Sequence, residues 1–294
     1  MSMFEKTMHR CGQVYRLATS PARLMPDFII IGGQRCGTTS LYNYVIEHAG
    51  ILPASTKEVH YFDYHFDRPL FWYRAQFPSF FKKLSIEKFQ KLDFITGEAS
   101  PYYLFHPLSP VRIAKTLPRV KLVALLRNPI DRAYSQHWLE TKLGYEKLPF
   151  EEAIEHEEER LAGEREKMLN HKNYESYNFR HYSYLCRGIY VDQLQYWMKF
   201  FPAEQLLILK SEDLYKNPAA VVRQTLDFLG VTDGASGAEQ KEYKNYREPT
   251  RDGYKSEAKP PKMQAETRAR LVEYFKPHNA RLGQLLDRDF AWDK

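Results

Sequence analysis

The stretch Phe28-Ile29-Ile30-Ile31-Gly32-Gly33-Gln34-Arg35-Cys36-Gly37-Thr38-Thr39-Ser40-Leu41 constrains the fold more than any other part of the chain. Four apolar residues, three of them β-branched, read as a buried parallel strand. The glycines then force a tight turn, and Thr38 to Val45 carry a helical pattern that begins at that turn. Such a strand, turn and helix N-terminus leaves backbone N–H groups unpaired at the positive end of a helix dipole, where an anion is favoured. Gly32 and Gly37 have the spacing of the nucleoside-triphosphate P-loop, which carries Lys after its second glycine; Thr38 stands there, and the cation comes earlier, at Arg35. The loop alone is compatible with an anion cradle or with a plain structural turn.

The rest of the chain alternates strands and helices. Phe94 to Glu98 reads as a short strand, Val120 to Leu126 and Leu206 to Leu209 as buried strands, and Pro110 to Leu117, Pro218 to Leu229 and Thr267 to Leu286 as helices. Gly230 suits a helix C-cap. With 294 residues and no internal repeat or linker, this pattern predicts an α/β fold: a single domain with a central parallel sheet, flanking helices and a P-loop-like phosphate-binding strand-loop-helix. Residues 1–25 are expected to form an N-terminal arm and residues 26–294 the domain.

The 43 Lys and Arg against 37 Asp and Glu give a formal net charge of +6. This mild excess suits an anionic ligand without demanding one; the positives are dispersed among acids rather than gathered in basic runs, which reads as a solvated mixed surface and not as a nucleic-acid binder. Cys11, Cys36 and Cys186 are an odd number with no CxxC spacing, so neither a disulfide framework nor a zinc site is indicated, which points to a reducing compartment. Cys36 reads as a small packed turn residue, or as a thiol whose pKa a helix N-terminus lowers. No apolar leader and no run of about 18 apolar residues occurs. The expectation is a protein without a membrane span, in the cytoplasm.

Other segments carry chemistry. Thr56 to Asp63 is dense in titratable groups; in an extended strand Val59 and Tyr61 would face inward while Glu58 and His60 share the opposite face. Arg127 ends the Val120 to Leu126 strand and so falls at the same sheet edge as the phosphate loop. The charged stretch Phe150 to Met168 reads as a solvated helix. Asn170 to Tyr184, rich in Asn, Tyr, His and Ser, reads as a substrate-facing loop or lid, or as a flexible segment.

Taken together, these segments resemble the sulfotransferases that use 3′-phosphoadenosine 5′-phosphosulfate (PAPS), closest in pattern to the heparan-sulfate-type branch and its bacterial relatives. The resemblance runs from about Pro26 to Trp292. It implies that Gly33, Gln34, Arg35, Cys36, Gly37, Thr38, Thr39 and Ser40 hold the 5′-phosphosulfate, and that Arg127 and Ser135 bind the 3′-phosphate. It also places Arg187 and Tyr190, in Arg187-Gly188-Ile189-Tyr190, near the nucleotide, and Lys255 and Lys259 in a basic loop over it. Glu58 matches the family's glutamate base, with His60 as its alternative or partner, and Arg35 would stabilise charge on the leaving phosphate. The donor is preactivated, so no metal is implied; the product is 3′-phosphoadenosine 5′-phosphate (PAP) and the acceptor a hydroxyl.

Two departures stand out. Many relatives have Lys where this loop has Arg35. In Glu98-Ala99-Ser100-Pro101, Ala99 stands where the family carries Lys, which argues against a strongly anionic glycan as acceptor. The rival readings are a P-loop phosphotransferase, which would need the missing lysine and a metal-binding acid, and a nucleotide- or polyanion-binding module, which would not need Glu58 and His60.

Overall fold

The computed structural model describes residues 3–90, 94–171, 174–231 and 262–293. Lys255 and Lys259 lie outside them. Five strands, β1 (Phe28–Gly32), β2 (Ile51–Pro53), β3 (Ile95–Ala99), β4 (Lys121–Leu126) and β5 (Leu206–Lys210), form one sheet in the order β2-β3-β1-β4-β5. Every neighbouring pair is parallel. The expected α/β architecture is therefore present, with β2 as an addition. At three residues on the sheet edge, β2 is too short for any periodicity to announce it.

Alternation along the strands divides the core in two. Ile29, Ile31, Leu122, Ala124 and Leu126 pack with Leu194, Trp197 and Leu282 of helices Tyr190–Trp197 and Ala265–Leu286. Phe28, Ile30, Val123 and Leu125 pack on the other side with Leu41, Val45, Val222 and Leu226 of helices Thr38–Ile46 and Pro218–Leu229. Strands apolar at every position are what a sheet covered on both faces requires. At the other end, Arg23 of the N-terminal arm bridges to Ser79 and donates through Nη1 to the Phe77 carbonyl at 2.8 Å.

One expectation is corrected, and of the two readings of the Asn170 to Tyr184 segment the flexible one is set aside for residues 174–184. Phe150 to Met168 is not one solvated helix but three short ones, Phe150–Glu155, Glu157–Leu161 and Glu164–Asn170. Glu157 is buried and accepts the Leu185 and Cys186 N–H groups at 2.6 and 2.9 Å, while Glu164 accepts from Tyr174 Oη at 2.7 Å. These acids anchor the chain beyond them, which charge periodicity does not reveal. Accordingly, residues 174–184 are packed: helix Tyr177–His181 buries Phe179, whose ring stacks on Phe105 at 4.4 Å.

Candidate active site

The β1 strand delivers the chain into the phosphate loop at the carboxyl edge of the sheet, where open parallel sheets bind ligands. Gly33 N–H donates to the Leu125 carbonyl of β4 at 2.7 Å, and Ser211 Oγ donates to the Cys36 carbonyl at 2.6 Å. Gly37, with φ of 89°, is the N-cap of helix Thr38–Ile46; a Cβ there would stand 2.9 Å from Tyr215 Oη. Arg35 also takes a left-handed φ, 66°, uncommon for a side-chain-bearing residue and characteristic of strained functional loops. The Cys36 thiol is fully buried, and burial pushes its pKa up. The reading of Cys36 as an activated thiol is thus overturned in favour of a packed turn residue.

Arg35, Arg127 and Ser135 come together. Arg35 Nε donates to Ser135 Oγ at 3.0 Å, and Arg127 Nη1 donates to the Arg35 carbonyl at 3.2 Å. Arg127 and Ser135 line a cavity of about 400 Å³ together with Tyr134, Lys262 and Arg268. Lys262 ends the basic Tyr246 to Lys262 stretch that contains Lys255 and Lys259, whereas Arg268 carries no motif signal in the sequence and becomes visible only through the fold. Arg187 and Tyr190 are both buried beside the loop: Arg187 Nη1 donates to Gln34 Oε1, its Nη2 to the Phe179 and Arg180 carbonyls, and Tyr190 Oη to the Arg127 carbonyl at 2.8 Å. Their polar groups brace the loop and the strand end.

The segment bearing Glu58 is not the expected extended strand. Glu58 and His60 have φ of 59° and 54°, so two left-handed residues on either side of Val59 bend the chain into the turn that begins at Tyr61. Val59 and Tyr61 still point inward, both buried, and Glu58 N–H docks on the Ala99 carbonyl at the end of β3 at 3.0 Å. The turn thereby places Glu58 and His60 side by side, His60 Nε2 lying 3.4 Å from Glu58 Oε2. The third member is Asp63, whose Oδ2 is 2.7 Å from His60 Nδ1. Lys57 Nζ completes the group, 2.8 Å from Glu58 Oε1.

Burial alone would lower the His60 pKa, but the Asp63 and Glu58 carboxylates outweigh it and lift it to about 10. Burial likewise opposes ionisation of Glu58, and the His60 and Lys57 contacts reverse that and hold its pKa below the usual carboxylate range. At neutral pH His60 is therefore an imidazolium with both N–H groups committed to carboxylates, and it has no lone pair with which to take a proton. Glu58, one-third exposed, is held in its ionised form by the same contacts.

The signs of these shifts give a testable pH dependence. The raised His60 pKa contributes stability fully present below its ordinary value of 6.5 and lost as pH rises through about 10. The lowered Glu58 pKa contributes stability present above its ordinary 4.5 and lost on acidification. Thermal melts of Asp63→Asn and the parent should accordingly differ most below pH 6.5 and converge above about pH 10. Equal differences across that range would mean that the His60–Asp63 contact is not an ion pair.

A family model for the sulfotransferase domain matches residues 25–278. The chain belongs to the sulfotransferase-domain family. It is 30% identical to the membrane-associated sulfotransferase kil1 of Dictyostelium discoideum, over 91% of this chain and 66% of that protein. With the human heparan sulfate glucosamine 3-O-sulfotransferase 3A1 the identity is 26%, over 96% of this chain and 66% of that protein. With the human bifunctional heparan sulfate N-deacetylase/N-sulfotransferase 3 it is 29%, and there this sulfotransferase domain spans only 30% of the relative's length. Among solved structures, a sulfotransferase of Alicyclobacillus acidocaldarius superposes with a TM-score of 0.62 at 28% identity, covering 92% of this chain and all of that one.

These relatives correct one expectation. The cytoplasmic location expected from cysteine usage and the composition of the first 26 residues is contradicted by the membrane-associated Dictyostelium relative. No helix among the described residues is long and apolar enough to cross a membrane, but association with a membrane does not require a span within this domain.

Proposed function

We propose that the chain transfers a sulfuryl group from PAPS to an acceptor hydroxyl, with Glu58 as general base. The observation that carries this reading is the meeting of two unlike sites at one sheet edge. The phosphate loop leaves the end of β1, and the Glu58–His60–Asp63 turn is docked on the end of the adjacent strand β3.

The residues present suit the donor. The loop and the helix N-terminus at Thr38 offer backbone N–H groups to the 5′-phosphosulfate. Arg127, Ser135, Lys262 and Arg268 offer three cations and a hydroxyl, against the one carboxylate of Asp131 that is paired with Arg268, around a cavity whose net positive charge suits the 3′-phosphate. PAPS supplies a preactivated sulfuryl group with a phosphate as leaving group. As the acceptor oxygen bonds to sulfur and the bond from sulfur to the leaving phosphate oxygen breaks, the acceptor proton passes to a Glu58 carboxylate oxygen. A carboxylate held at low pKa can do this because the acceptor O–H becomes strongly acidic as its oxygen bonds to sulfur. His60 keeps Glu58 oriented, and Arg35 meets the charge gathering on the leaving phosphate. The same chemistry serves a glycan, a lipid-linked or polyketide chain, or a small natural product.

Isothermal calorimetry tests the donor assignment. PAP should bind equally well with and without a chelator, and more tightly than ATP with magnesium. Preference for the ATP–magnesium complex would favour the phosphotransferase reading, which Thr38 in place of the loop lysine already opposes.

A further inference from the structure

Beneath the turn lies a buried carboxylate that the chemistry above does not use. Glu98, on β3, is fully buried and accepts from three hydroxyls: Tyr73 Oη at 2.8 Å, Ser100 Oγ at 2.7 Å and Tyr103 Oη at 3.3 Å. Two of those hydroxyls in turn accept from the backbone of the turn. Ser100 Oγ accepts His60 N–H at 3.1 Å, while Tyr103 Oη accepts Tyr61 N–H at 2.8 Å and Phe62 N–H at 3.3 Å.

We infer that Glu98 is a positioning residue, which orients the Ser100 and Tyr103 hydroxyls so that they clamp three successive amides of the Glu58–His60 turn. This rests on the reading of Glu58 and His60 as the chemical pair.

With Glu98 ionised, the polarity of the network permits one arrangement. An amide N–H only donates, so each hydroxyl must receive it on a lone pair and send its single proton elsewhere. An ionised carboxylate only accepts, and Glu98 is where both protons go. Tyr103 is then saturated, with two N–H groups received and one proton given. Burial lifts the Glu98 pKa to about 7, against which the Ser100 and Tyr73 hydroxyls pull by bonding to the charged form. The turn needs such a clamp because Glu58 and His60 both hold left-handed φ values, a conformation that persists only where surrounding contacts enforce it. Glu98→Gln keeps the volume but presents an amide N–H₂ to hydroxyls that must donate. One hydroxyl would have to turn its proton toward the backbone N–H it now receives, and the clamp would open.

The test needs no knowledge of the acceptor. Release of radiolabelled sulfate from PAPS to water, measured near pH 8, should fall by about 10- to 100-fold in Glu98→Gln and in Ser100→Ala, the size of loss that a misplaced catalytic group produces. PAP affinity should stay within about threefold, and the double variant should lose no more than the worse single, because both act through one contact chain. Ser100→Ala leaves every charge in place, so it also isolates the geometry. The His60 ring, faced by Glu58, Asp63, Tyr64, Tyr103 and Glu98, should titrate lower in that variant by NMR. Tyr103→Phe, which removes two amide acceptors with little loss of volume, carries the same expectation if Glu98→Gln fails to fold. Parent-like sulfate release in folded Glu98→Gln and Ser100→Ala, with Glu58→Gln impaired, would overturn the inference alone. A parent-like Glu58→Gln would overturn the underlying reading as well.

Discussion

Glu58→Gln is expected to lower the single-turnover rate at saturating PAPS by on the order of 10²- to 10⁴-fold, the usual worth of a general base. The amide keeps the size and much of the hydrogen bonding of the carboxylate but cannot take the acceptor proton. PAP affinity should hardly change, because no cation leaves the phosphate loop or the Arg127–Ser135 cavity. His60→Ala should also impair the enzyme, but less: its imidazolium is bound between Glu58 and Asp63, so its removal loosens the base without deleting it. A dead His60→Ala beside an active Glu58→Gln would move the base to His60, against the protonation state that its two carboxylates impose. Two active variants would remove the turn from the chemistry.

Arg127→Ala should weaken PAP far more than the analogue lacking the 3′-phosphate. A charge-assisted hydrogen bond contributes about 1.5 to 3 kcal/mol, so the loss for PAP should be on the order of 10- to 100-fold. Arg127 also holds the Arg35 carbonyl, so a smaller loss common to both ligands is expected from loosening of the loop. The difference between the two losses measures the phosphate contact, and equal losses would make Arg127 a structural brace only. Calorimetry on both ligands resolves the two cases.

The parts of this molecule legible in its sequence are those fixed by local pattern. The apolar runs of β1 and β4 and the glycines around Arg35 locate the strand-loop-helix, because strand burial and turn geometry leave local signatures. What stayed hidden depends on contacts between distant segments. Glu58 and His60 do meet, yet through two left-handed residues rather than the alternation of a strand, and the amides enforcing that bend are held from β3 and the loop after it, some 40 residues away. Glu98 gives no local sign of its role, since a buried acid surrounded by hydroxyls looks in sequence like any strand-end glutamate. Glu157 and Glu164 misled for the same reason: charge at helical spacing suggests solvent, and burial is decided by the amides and hydroxyls that the fold brings to them. Asp63 lies in the same short segment as His60, but only the turn brings its carboxylate onto Nδ1.

Sulfuryl transfer itself is tested most directly by incubating the chain with radiolabelled PAPS and a panel of hydroxyl acceptors, comprising neutral and anionic oligosaccharides, phenols and long-chain alcohols, with Glu58→Gln alongside. Label should appear in at least one acceptor with stoichiometric formation of PAP, unaffected by a chelator, and transfer by Glu58→Gln should be lower by on the order of 10²-fold or more. Transfer to the same acceptor that is undiminished in Glu58→Gln, or label that stays in PAPS across the whole panel while the protein transfers phosphate from ATP, would contradict the account.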